Sequence, residues 1–65
     1  MKPGDTILIL PSFALSDMRL NALVGIRAEI MEVIKRNNVI KGCWVSLPIK
    51  YLGEREWYIP YNSIG

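Results

Sequence analysis

The sequence predicts a small all-β domain, on the basis of three observations. Runs of β-branched and aromatic residues recur along the chain and are bounded by glycine, proline or asparagine. Two asparagines separate two of these runs, where a two-residue hairpin turn needs residues that tolerate positive φ. The alternation of apolar and polar residues then gives one shared buried face in successive strands. The 65 residues have room for a single domain, residues 1–65.

Composition favours a domain that binds another chain. A core of this size supplies roughly 3–5 kcal/mol of net stability at most. The single cysteine, Cys43, cannot form an internal disulfide, and the absence of histidine makes a zinc site implausible. Because 51% of the residues are apolar, we expect apolar surface to be covered by a protein partner or in a homo-oligomer.

The first strand is predicted over residues 6–10, with Ile7 and Ile9 on one face and Leu8 and Leu10 on the other. Both faces are apolar, so we expect both to be covered. Residues 11–24 form a first loop that is long and rich in apolar residues, which is typical of a segment with structure of its own. The sequence predicts a lid over Leu8 and Leu10, with a short helical turn that starts after Ser16.

Residues 25–35 allow two interpretations. Leucine, valine, isoleucine and methionine residues between Leu20 and Ile34 form a stripe at helical spacing, and residues 28–36 have good helix propensity. As a strand, the same segment points Ala28 and Ile30 inward. Gly25 is unfavourable within a helix, and the run that follows Asn38 needs a partner for pairing, so we favour the strand.

Two hairpin registers agree on the inner face. A turn at Asn37–Asn38 places Ile30 opposite Val45, and a second hairpin with its loop at residues 48–54 places Val45 opposite Trp57. Trp44 then faces Tyr58 on the outside. The predicted inner face consists of Ala28, Ile30, Cys43, Val45, Leu47, Trp57 and Ile59.

The C-terminal segment Ile59-Pro60-Tyr61-Asn62-Ser63-Ile64 resembles the hydrophobic-Pro-Ser-Asn-Tyr-hydrophobic segment of Src-homology-3-like domains. Tyr61 and Ser63 are exchanged relative to that segment, and Trp44 resembles the exposed tryptophan of the family's peptide groove. The resemblance implies a five-stranded Src-homology-3-like barrel with a long first loop and a 3₁₀ turn near the C-terminus.

The N-terminal half resembles the KOW motif. The matching residues are Lys2-Pro3-Gly4-Asp5-x-Ile7-x-Ile9 followed by Val24-Gly25-x-x-Ala28-x-Ile30. This resemblance also implies a small barrel, in a family that binds RNA or protein through its loops. It supports an alternative in which the chain binds nucleic acid through Lys35, Arg36 and Lys41 together with the aromatic residues Trp44 and Tyr58.

The candidate binding residues form an outward aromatic patch. Trp44 and Tyr58, with Met31 or Glu29 beside them, have the composition of a protein-binding hot spot. Tyr51 and Tyr61 are expected to flank the patch from loops, and Asn62 to orient the ligand. The alternative is ordinary cross-strand packing, with the patch covered by the lid.

The sequence predicts no enzyme. There is no histidine, Cys43 points inward, and the acidic residues are scattered without a pair placed for acid–base chemistry. We therefore expect no catalytic residue, cofactor, metal or small-molecule substrate, and a non-enzymatic interaction module. An accessory domain of a larger assembly is a further alternative. The apolar run at residues 6–14 is too short to span a membrane, and no cleavage site follows it, so the expected location is the cytoplasm.

Overall fold

The computed structural model describes residues 1–65 and is mostly β. One open antiparallel sheet has the strand order β1-β2-β3-β4. Its strands are β1 (Thr6–Leu8), β2 (Arg27–Arg36), β3 (Val39–Tyr51) and β4 (Glu54–Pro60). A short helix α1 (Phe13–Asp17) and a first 3₁₀ turn (Asn21–Leu23) follow β1, and a second 3₁₀ turn (Tyr61–Ser63) follows β4. The mostly β prediction is confirmed. The predicted five-stranded barrel is not confirmed, because the sheet has four strands and is not closed.

The end of the chain lies beside β1 without forming a fifth strand. Leu8 and Gly65 exchange two backbone hydrogen bonds, with N···O distances of 3.2 Å from Leu8 and 2.9 Å from Gly65. Ile9 and Ile64 form an isolated antiparallel bridge. Leu10 N–H donates to the Ser63 carbonyl at 2.7 Å. These contacts hold the second 3₁₀ turn against the segment that leads into α1.

The ambiguous central segment is a strand, as favoured from the sequence. Asn37 and Asn38 have φ of 52° and 64°, and they form the two-residue turn between β2 and β3. Positive φ at both positions matches the right-handed twist of the two strands, and asparagine adopts it at little cost.

Two bulges interrupt the β2–β3 register and cancel each other. Pairing shifts by one residue between Lys35 and Ile34, which leaves Lys41 of β3 without a partner. It shifts back between Glu32 and Ile30, which leaves Met31 of β2 unpaired. Ile30 therefore lies opposite Val45, as predicted, although the predicted register had no bulge.

The second hairpin has the predicted pairs and a shorter loop than predicted. Trp44 lies opposite Tyr58 and Val45 opposite Trp57. The predicted loop at residues 48–54 is wrong, because β3 continues to Tyr51 and the turn is only Leu52–Gly53. Both turn residues have positive φ, 51° and 85°. An irregularity between Ser46 and Tyr51 absorbs the extra residues of β3, and strand irregularities of this kind tolerate a proline.

The core is one cluster formed by the inner sheet face and the first loop. Six of the seven predicted inner-face residues are buried, and Trp57 packs against them half-buried. Leu15, Leu20 and Leu23 complete the cluster from the first loop. The full cluster is Ile7, Ile9, Leu15, Leu20, Leu23, Ala28, Ile30, Cys43, Val45, Leu47 and Ile59.

The lid covers a different face of the first strand from the one predicted. Ile7 and Ile9 are buried with the lid leucines, whereas Leu8 is half-buried and Leu10 is exposed. The prediction that both faces are covered is therefore wrong. Phe13, expected to pack in the lid, is 93% exposed at the start of α1.

Two serines fasten the lid to the second 3₁₀ turn. α1 begins after Ser12, earlier than the predicted start after Ser16, because the Ser12 hydroxyl caps the helix by accepting from Leu15 N–H at 3.0 Å. The hydroxyls of Ser12 and Ser63 are hydrogen-bonded at 2.5 Å, and Ser63 is fully buried.

We expect Ser12→Ala to destabilise the protein more than Ser63→Ala does. Ser12→Ala removes the helix cap, which costs about 1 kcal/mol, and it also leaves the buried Ser63 hydroxyl without a partner. Ser63→Ala keeps the cap. Urea unfolding checks the order, with the exposed Ser16→Ala on the same helix as the control. Equal losses for Ser12→Ala and Ser16→Ala would contradict the role of the serine pair.

Candidate functional site

The aromatic platform consists of Trp44 and Tyr58 on the outer face, the face of β2, β3 and β4 opposite the core cluster. The two rings meet edge to face, with centroids 5.9 Å apart and planes at 68°. Trp44 is 41% exposed and Tyr58 is half-buried. Edge-to-face contact fixes the orientation of both rings while leaving the Trp44 surface open to a ligand.

Gly42 provides the space in which the Tyr58 ring lies. A Cβ atom at Gly42 would overlap the Ile59 carbonyl oxygen and would lie 2.6 Å from the Tyr58 hydroxyl oxygen and 2.7 Å from Cζ of the ring. Gly42 and Trp44 are two residues apart along β3, so both lie on the outer face. The glycine therefore lets Tyr58 lie flat on the sheet beside Trp44.

The lid does not cover the platform. The buried lid residues Leu15, Leu20 and Leu23 belong to the core cluster on the inner face. Trp44 stays exposed to solvent, so the alternative in which the lid packs on the patch is wrong. Met31 lies beside the platform at the β2 bulge, next to the Glu32 that pairs with Trp44, and is also exposed.

Tyr51 belongs to a second aromatic pair. It lies at the end of β3 and not in a loop, and its ring meets that of Trp57 with centroids 5.6 Å apart. The Trp57 indole N–H donates to the Glu54 carbonyl at 3.0 Å. Both rings pack against the core cluster, so Tyr51 does not flank Trp44 and Tyr58.

Tyr61 and Asn62 line a groove together with Lys41. The groove has a volume of about 300 Å³ and lies between α1, β3 and the second 3₁₀ turn. Ala14, Ile40 and Pro60 complete its lining. Tyr61 and Asn62 were predicted as protein-binding residues and Lys41 as a nucleic-acid contact, and the structure brings these three together.

Lys35 and Arg36 lie at the turn end of the β2–β3 hairpin. Both side chains are exposed, and their strand partners are Ile40 and Val39. Lys41 lies close by in the β3 bulge. These three basic residues thus lie at the turn end of the hairpin, away from the cross-strand pair of Trp44 and Tyr58.

Three carboxylates that were not predicted as a group lie around the platform. Glu32 pairs with Trp44, while Glu29 and Glu56 lie on either side of Ser46. The protein's one ion pair joins the N-terminal ammonium to Asp5 at 3.9 Å, so none of the three has an intramolecular cationic partner. The predicted registers pair Ser46 with both Glu29 and Glu56, and this signal could have identified those two. Glu32 lies opposite Trp44 only because of the bulge at Met31, which the sequence did not predict.

Cys43 lies in the core and is fully buried. Burial raises the pKa of its thiol because the interior disfavours the thiolate. The neutral thiol behaves as a small apolar group. No cluster of three or more His, Cys, Asp or Glu side chains is placed to hold a metal ion.

Neither a family model, nor a curated protein, nor a solved structure gave a significant match to this chain. None of the helices has the length and apolar character needed to cross a membrane.

Proposed function

We propose that this chain is a non-enzymatic interaction module that binds protein through the aromatic platform. The observation that carries the proposal is the exposure of Trp44 in an orientation fixed by Tyr58 and Gly42. Large aromatic residues supply much of the energy at protein interfaces. A ring that is already fixed loses little conformational freedom when a partner binds, which favours affinity.

A Src-homology-3-like architecture is part of the proposal. It is supported by the hydrogen bonds that join Leu8 to Gly65, and by the 3₁₀ turn that follows Pro60 where the resemblance implies one. In this arrangement Tyr61 and Asn62 contact the ligand from the groove beside Lys41. Tyr51, whose ring meets Trp57 edge to face, contributes to the fold more than to the ligand.

Charge favours a protein partner over nucleic acid at this face. Glu29, Glu32 and Glu56 would repel phosphates that approach Trp44. A KOW-like nucleic-acid contact would have to use Lys35, Arg36 and Lys41 at the hairpin end, and its affinity would fall steeply with salt. Self-association and membership of a larger assembly are both forms of protein binding at the same platform, and a cytoplasmic location remains the prediction.

Site-specific photo-crosslinking in the source cell tests the proposal. A benzophenone amino acid in place of Met31 lies beside Trp44, and the same residue in place of the exposed Leu52 at the β3–β4 turn is the control. We expect a discrete protein adduct from position 31 and none from position 52. An adduct of twice the chain mass identifies self-association. No adduct at position 31, or equal adducts at both positions, would contradict the proposal.

A further inference from the structure

We infer that the outer face takes a basic segment of the partner, with an arginine or lysine side chain on Trp44 and its charge against Glu29, Glu32 and Glu56. The inference rests on the proposed function and specifies the chemistry of the partner. It follows from the pairing of these four residues and Ser46 across three strands.

The pairing brings the three carboxylates to the edge of one aromatic surface. Glu32 lies directly opposite Trp44, and Glu29 and Glu56 both lie opposite Ser46 in the adjoining row. Neighbouring strands are about 4.8 Å apart, so Glu29 and Glu56 are roughly 10 Å apart across Ser46. A long cationic side chain lying over Trp44 and Ser46 is within reach of all three.

The two rows that contain Trp44 and Ser46 carry three carboxylates and no basic residue, which favours a cation from outside the chain. Arg27 lies two residues from Glu29 on the same face of β2 but forms no ion pair with it. The protein carries a net charge of +2, yet three of its six acidic residues lie in these two rows. None is ion-paired, and the like charges of Glu29 on β2 and Glu56 on β4 repel weakly across β3, at a separation of roughly 10 Å. A cationic ligand removes that repulsion and also binds the face of an indole ring, the strongest of the aromatic cation acceptors.

The same charges exclude other occupants. Acidic segments and nucleic acids would meet three carboxylates, and a purely apolar segment would leave them near desolvated surface without compensation. A second copy of this chain is an alternative occupant, and its densest group of basic residues is the hairpin end with Lys35, Arg36 and Lys41. Self-association through a second copy would be recognised because its NMR shifts depend on protein concentration.

A peptide titration followed by NMR tests the inference. The probe is a synthetic, uncharged-capped peptide of alternating arginine and glycine, and the control peptide has glutamate for arginine. We expect the arginine peptide alone to shift the Trp44 indole N–H and the amides of Glu29, Ser46 and Glu56. The shifts should saturate and weaken as salt is raised.

Matched charge variants locate the site. The combined Glu29→Gln, Glu32→Gln and Glu56→Gln variant keeps the shape of the face, and we expect its affinity for the peptide to fall roughly tenfold or more. The control variant Lys35→Gln and Arg36→Gln, which leaves the groove residue Lys41 unchanged, should bind at least as well as the wild type.

Three results would overturn the inference. The first is that the arginine peptide causes no chemical-shift changes at millimolar concentration. The second is that the glutamine variant binds the peptide as tightly as the wild type does. The third is that the same residues shift without peptide as protein concentration rises, which identifies a second copy as the occupant. If the glutamine variant still crosslinks to a different protein from position 31, the proposed function stands and the inference of a basic partner is wrong. Loss of that adduct in the glutamine variant, but not in the lysine and arginine variant, supports the inference.

Discussion

Gly42→Ala is expected to unfold a large fraction of the protein. The added methyl group overlaps the Ile59 carbonyl oxygen, which is backbone and cannot rotate away, and it also displaces the Tyr58 ring. Overpacking of this kind costs about 3 kcal/mol. A domain of this size has roughly 3–5 kcal/mol in total. Urea unfolding, or the fraction folded by NMR at 25 °C, measures the loss.

Lys41→Ala is the matched control for Gly42→Ala. Lys41 is the neighbouring residue, lies unpaired in the bulge and is exposed, so its truncation should leave the free energy of unfolding nearly unchanged. If Gly42→Ala is as stable as Lys41→Ala, the close packing of Tyr58 over β3 is wrong. The fixed orientation of the aromatic platform would then lose its explanation.

Trp44→Ala is expected to remove partner binding and leave the protein folded. The loss of binding should be at least ~2 kcal/mol, roughly 30-fold, as for a central interface tryptophan. The loss of folding stability should be about 1 kcal/mol, because the variant gives up only the edge-to-face contact with Tyr58 and a partly exposed ring.

Trp57→Ala provides the opposite result. Trp57 packs against the core, meets Tyr51 edge to face and donates a hydrogen bond to Glu54, so its truncation should destabilise the fold by about 3 kcal/mol. The binding of Trp57→Ala to the partner should fall only in proportion to the fraction of the variant that is unfolded. Unfolding and binding measured on both variants separate the two tryptophans. An equal loss of stability in both would place Trp44 among the structural residues.

Hairpin register was the most predictable part of the fold. Alternation and a two-asparagine turn were enough to pair Ile30 with Val45, and the requirement for one shared inner face then paired Trp44 with Tyr58. The bulges at Lys41 and Met31 could not be predicted, because each shifts the pairing by one residue and the second reverses the first. Because the pairing is the same on the far side of both bulges as at the turn, the alternation of apolar and polar residues at the two ends of the hairpin does not reveal them.

Turn geometry and lid packing were less predictable. The Leu52–Gly53 turn places a leucine at positive φ, a conformation that leucine rarely adopts. A two-residue turn at this position was therefore not expected, and the proline and glycine within residues 48–54 suggested a longer loop. Phe13 illustrates the other limit. Its apolar side chain predicted burial, but the Ser12 cap starts α1 in an orientation that buries Leu15 and exposes Phe13.

The candidate site was partly predictable. Trp44, Tyr58 and Met31 lie together on the outer face as expected, because parity along a strand determines the side on which a residue lies. Tyr51 was misplaced along with its loop. The row formed by Glu29, Ser46 and Glu56 follows from the same two registers, but carboxylates far apart in sequence form a group only when three strands are paired side by side.

The adduct yield from position 31 in a chain that also carries Trp44→Ala tests the central claim most directly. If the platform is the docking surface, the adduct seen with Trp44 present should disappear, while the free energy of unfolding changes by about 1 kcal/mol. An undiminished adduct from the folded variant would show that partners reach this face without Trp44 and would contradict the account.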